Sequence, residues 1–82
     1  MLEPEQIRAA RALFGWSQEK LADASGVSLA TVKRIEAEGV TRSSVGTVSA
    51  IKEALERAGV VFIAADASGG AGVRLQRKKR KG

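Results

Sequence analysis

Ile7, Ala10 and Phe14 recur at three- and four-residue spacing, an apolar stripe that predicts a helix starting near Pro4 and ending near Gly15. Pro4 suits a first helical turn, where its missing N–H leaves no hydrogen bond unmade. A small unit then occurs twice: an apolar residue, a serine, and a second apolar residue four positions after the serine. Trp16-Ser17 with Leu21 is the first copy and Val27-Ser28 with Val32 the second. In each, the serine reads as an N-cap whose hydroxyl takes a free backbone N–H, and the two apolar residues pack across it as a hydrophobic staple. The second helix is expected to run to about Ser25. Gly26 follows, able to take the left-handed conformation that stops a helix. The third carries Val32 and Ile35 inward, runs to about Glu38 and ends at Gly39. A polar loop, "VTRSS", leads into "VGTVSAIKEALERAG", where Val48, Ile51, Leu55 and Ala58 share one face of a longer fourth helix.

After Gly59 the period changes. "VVFIA" is β-branched and aromatic, "DASGGAG" is turn material and "VRLQ" alternates apolar with polar, which together predict a β-hairpin from about Val60 to Gln76. The expected fold class is therefore mainly α: a four-helix helix-turn-helix domain over 1–59, a C-terminal β-hairpin over 60–76 and a disordered basic tail over 77–82. "GGAG" has neither the lysine nor the following helix of a phosphate-cradling loop, so it reads as a hairpin turn. A chain of 82 residues supports one modest core.

Charge changes the picture through its placement. The net charge is +5, yet residues 74–82, "RLQRKKRKG", hold six of the fourteen basic residues and no acidic one, so residues 1–73 carry eight positive against nine negative charges. The body is about neutral. A polyanion partner for it has to be argued from a placed motif, while the tail offers a diffuse attraction to nucleic acid or simply solubility. With no cysteine and no histidine, disulfides, thiolate metal sites and a neutral-pH proton shuttle are absent, and an enzyme is not expected. Nor is a cofactor or metal. No segment approaches the length of a membrane span and the start has no signal-peptide pattern, so a cytoplasmic protein is expected.

Two stapled helices joined by a turn this short cannot lie fully antiparallel, and so cross steeply, as in a helix-turn-helix. The third helix then presents an outer face of Leu29, Ala30, Thr31, Lys33 and Arg34, where a small alanine and long cations can enter a major groove. Its capped N-terminus, with Ser28 and Thr31, leads toward phosphates. Trp16 sits at a staple position and reads as core, not as a base-stacking residue.

The stretch "SQEKLADASGVSLATVKRIE" resembles the helix-turn-helix of the Xre/Cro family of phage and bacterial repressors. It shares the serine-glutamine start, the leucine-alanine pair, the turn glycine, the following Val-Ser and the closing Ile-Glu, and the likeness extends over residues 5 to about 58. The resemblance implies a DNA phosphate at Gln18, bases facing Leu29, Ala30 and Arg34, and DNA backbone at the loop of Thr41, Arg42, Ser43 and Ser44. It also implies an ion pair between Arg11 and Glu36. Lys33 is expected at a flanking base or a phosphate. The hairpin and the lysine-rich tail depart from the family's core.

The function expected is that of a sequence-specific double-stranded DNA-binding regulator, a repressor acting as a homodimer on a palindromic operator. The hairpin, with Val73 and Leu75, is the expected added dimer surface. A protein-interaction module, an antitoxin or antiactivator-type adaptor on the same scaffold, and an RNA-binding protein driven by the tail are the alternatives.

Overall fold

Each helix begins and ends on a device the chain spells out locally. A computed structural model describes residues 2–77, in the order α1 (Pro4–Phe14), α2 (Gln18–Ser25), α3 (Leu29–Glu38), α4 (Val45–Ala58), β1 (Val60–Ile63) and β2 (Gly72–Leu75). Ser17 accepts a hydrogen bond from Lys20 N at 3.0 Å and Ser28 one from Thr31 N at 3.2 Å, each satisfying a backbone donor that the first turn leaves free. The device occurs a third time: Ser44 accepts from Thr47 N at 3.1 Å and so starts α4. Gly26 stops α2 at φ 76°, where a side chain is strained, and its N–H donates to Ala22 O at 2.9 Å.

The core runs through all four helices. Ile7, Leu21, Val32, Ile35, Ile51 and Leu55 are almost wholly removed from water, and burying each such side chain contributes about 1.5 to 3 kcal/mol. α1 packs on α3, and α2 packs on both α3 and α4. On α4 Ala54 is buried together with Ile51 and Leu55, while Ala58, the last residue of the helix, is half-buried. Leu2 and Val40, from the N-terminal segment and the α3–α4 loop, close the core from outside the helices.

The hairpin is antiparallel with Val60 opposite Leu75 and Phe62 opposite Val73. It packs on the helices, β1 against α4 and β2 against α1. The alternation of a strand puts Val60, Phe62, Val73 and Leu75 on one face; Val60 is buried, and Phe62 and Val73 pack against the helical core. Val73 is half-buried, so part of its side chain faces the chain's own core. Leu75, at the end of that face, remains 49% exposed. Gln6 pins the hairpin from α1: its side-chain amide donates to Ile63 O at 3.2 Å and Gly72 O at 2.9 Å, satisfying a polar group that is itself buried. At the tip, the Asp66 carboxylate accepts from Ser68 N, Ser68 Oγ and Gly69 N, so the "DASG" turn is organised around it. These hydrogen bonds, Ser68's foremost, hold the Asp66 carboxyl below the usual carboxylate range. Of the basic tail, Arg77 is described and exposed; the expectation of disorder for the remainder falls outside the described residues.

Candidate nucleic-acid interface

The site is built outward from a locked pair. Arg11, in the last turn of α1, donates from Nε to Glu36 Oε2 and from Nη2 to Glu36 Oε1, both at 2.7 Å, the two-pronged geometry that a guanidinium offers a carboxylate. A third donor, Nη1, reaches Trp16 O at 2.9 Å. The carboxylate side is only 4% exposed and the guanidinium side 18%. Hydrogen bonding to Glu36 raises the Arg11 pKa above its already high ordinary value and outweighs the opposing effect of burial. Arg8, one turn earlier, donates to the backbone carbonyl of Glu36, supplying a cation at the negative end of α3 where the helix has no basic residue of its own. The first helix thus fixes the end of the third.

Gln18 joins this network. It is the first residue of α2, half-buried, and its Nε2 donates to Glu36 Oε1 at 3.3 Å. The side-chain amide carries two N–H donors, so one is held by Glu36 and the other is free for an oxygen beyond the protein. Trp16 is half-buried and packs against the core, its ring 5.6 Å from the Phe14 ring and the Lys20 ammonium 5.6 Å from its ring centre.

Along α3, Ala30 and Lys33 are exposed, while Thr31 and Arg34 are half-buried at the edges of the outer face. Leu29 is also half-buried and packs against the core cluster, so only part of it belongs to that face. Its position at the very start of α3 lets a long apolar side chain fold back under the turn. Arg34 extends toward the α3–α4 loop and donates from Nη2 to Ser43 Oγ at 3.1 Å. Ser43 N in turn donates to Val40 O at 3.0 Å, and buried Val40 anchors that turn in the core.

The serines at the two helix starts are less free than their sequence suggests. Ser28 Oγ donates to Thr31 Oγ1 at 2.9 Å while accepting from Thr31 N, and Ser44 Oγ does the same with Thr47 Oγ1 at 3.0 Å. Each hydroxyl pair shares one proton internally and keeps one for an outside acceptor. Thr47 was the partner that sequence reasoning missed, although it stands three residues after Ser44 as Thr31 does after Ser28. Thr41 and Arg42 are exposed; Arg42 lies 3.8 Å from Glu38 across a pair that is 78% and 54% exposed, too open to hold it.

The structure therefore brings Gln18, Glu36 and Arg11 into one network and Arg34 and Ser43 into another, with α3 common to both. Among the described residues, an open depression of about 550 Å³ lies between Phe14, Ala58 and Leu75, away from α3. The outer face of α3 carries small, hydroxylic and cationic side chains and lies between the capped starts of α3 and α4, a set of groups chemically suited to a groove lined by phosphates.

Among the described residues no helix is long and apolar enough to cross a membrane. No curated protein matches the chain. The family model described as helix-turn-helix matches residues 7–59, which takes in most of α1, all of α2, α3 and α4, and stops where the hairpin begins. The chain belongs to the Xre/Cro-like helix-turn-helix family and is a DNA-binding regulator.

Proposed function

We propose that this regulator binds double-stranded DNA sequence-specifically, as a homodimer on a palindromic operator, with α3 in the major groove. Arg34, with Ala30, Lys33 and the exposed part of Leu29, meets base edges. Gln18, Thr31 and the loop residues Thr41, Arg42 and Ser43 meet phosphates, while Ser28 and Ser44 contribute through the helix starts they cap. The single observation that carries this reading is the convergence on α3: Gln18 from the start of α2 and Ser43 from the following loop are both hydrogen-bonded to α3 side chains. Backbone contacts on both sides of a reading helix fix its register in the groove, and base contacts then choose the sequence.

Dimerisation follows from information content. One small helix-turn-helix reads only a few base pairs, and two half-sites about one helical turn apart multiply the discrimination. With part of Val73 facing the core, the hairpin offers Ile63, 39% exposed, and Leu75, together with the outer strand edges of a two-stranded sheet, as its share of a dimer surface. Repression in the cytoplasm is the proposed outcome, because occupancy of a promoter by such a dimer suffices for it.

Competition between a duplex selected by the protein, an unrelated duplex and single strands, at rising salt, tests the reading. Preference for the selected duplex that persists at moderate salt is the expected result. Equal competition by single strands or by unrelated duplex would contradict it.

A further inference from the structure

We propose that Ser43, in the α3–α4 loop, is a positioning residue for base recognition: it aims the Arg34 guanidinium and ties that aim to the DNA backbone. The inference rests on the proposed reading of α3 as the base-reading helix. An arginine on a helix surface is long and samples many rotamers, and an unheld one loses much of that freedom when it binds a base. Here the Arg34 side chain is half-buried and Nη2 is held by Ser43 Oγ at 3.1 Å. One N–H of Nη2 is taken, and the guanidinium keeps one complete two-donor edge, which is what the paired acceptors of a guanine require.

The holding group is itself fixed. Ser43 N bonds Val40 O, Val40 is buried in the core, and the next residue, Ser44, caps α4. Arg34 is therefore referenced to the body of the protein by a short, anchored turn. Lys33, its neighbour in sequence, is exposed and lies about 100° around the helix from Arg34.

A serine hydroxyl accepts through its lone pairs and donates its one proton. Accepting from Arg34 leaves the Ser43 proton for a phosphate oxygen, which makes a continuous chain from DNA backbone through Ser43 to Arg34 to the base. Loop and helix then read DNA as one unit: a loop displaced from its phosphate also misdirects Arg34.

The test uses the full chain and two duplexes: one selected from a random pool by the unaltered protein, and the same duplex with the Arg34-dependent base pair replaced. Discrimination is the ratio of the two affinities. Ser43→Ala is expected to reduce that ratio by roughly 2- to 12-fold, the equivalent of one ordinary hydrogen bond, beyond any equal loss on both duplexes. Ser43→Thr, which keeps the hydroxyl, should restore it. In an Arg34→Ala background, Ser43→Ala should leave the ratio unchanged. Equal weakening on both duplexes by Ser43→Ala, with Arg34→Ala still relaxing the preference, would overturn this proposal alone and leave Ser43 a phosphate contact. A preference untouched by Arg34→Ala would instead overturn the base-reading role from which the proposal starts.

Discussion

In the intact chain the Glu36 carboxylate is 4% exposed and, without Arg11, keeps one side-chain donor, Gln18 at 3.3 Å, whereas the Arg11 guanidinium is 18% exposed and, without Glu36, stays bonded to Trp16 O. The two losses are therefore unequal. Stranding one member of a buried pair costs about 3 to 5 kcal/mol, and that range applies to Arg11→Ala. Glu36→Ala forfeits charge-assisted hydrogen bonds but lets Arg11 turn toward water, so about 1.5 to 3 kcal/mol is expected. Alanine at both positions strands no charge, and the double variant should be more stable than Arg11→Ala alone. Urea unfolding followed by the fluorescence of Trp16, the chain's one tryptophan, gives all three values; Trp16 lies against Phe14 and shares a hydrogen bond with Arg11. In a domain of this size Arg11→Ala would lower Tm by roughly 12 to 40 °C. Additive losses, with the double variant the least stable of the three, would refute the claim that the pair is a buried unit.

Gln18→Ala should weaken binding to every duplex by a similar factor, since a phosphate contact positions without reading bases; an altered base preference in site selection would contradict that. Removing residues 77–82, five of which are basic, should lower affinity and flatten the dependence of binding on salt while leaving the preferred sequence intact, and equal salt slopes with and without the tail would rule this out. The Asp66 carboxyl, held charged chiefly by Ser68, should titrate below the usual range by NMR, and Ser68→Ala should move it back up. The sign follows: a depressed folded pKa means the turn's extra order is present above the ordinary carboxylate range and is lost as pH falls through the lowered value. A midpoint in Ser68→Ala equal to that of the unaltered chain would assign the shift elsewhere.

The helices were legible because their signals are local. Ser17 with Leu21, Gly26, Ser28 with Val32 and Gly39 each act within one turn, so α2 and α3 begin and end where those residues lie. Contacts made across the chain were not legible. Gln6 reaches the carbonyls of Ile63 and Gly72, 57 and 66 residues away, and nothing in the α1 stripe marks it as a buried clamp. Val73 and Leu75 alternate with polar residues as any half-buried strand does, and only packing on α1 shows that part of Val73 faces the core. On α4 alanines at both positions fit the apolar stripe, and Ala54, inside the helix, is buried whereas Ala58, at its end, is half-buried. The sequence offers the proposed interface only as a set of positions; the links Gln18 to Glu36 and Arg34 to Ser43 depend on where one helix end and one loop come to rest in space.

Selection of binding sites from random duplex, run in parallel with the unaltered chain and with Arg34→Ala, tests the central claim most directly. The unaltered chain should enrich a palindrome with a guanine in each half-site whose replacement costs about 1 to 3 kcal/mol, and Arg34→Ala should lose that preference while keeping the rest of the sequence. An Arg34→Ala protein that enriches the same sequence with the same guanine would show that α3 is not read out through Arg34, and no enriched sequence for either protein would contradict the function proposed.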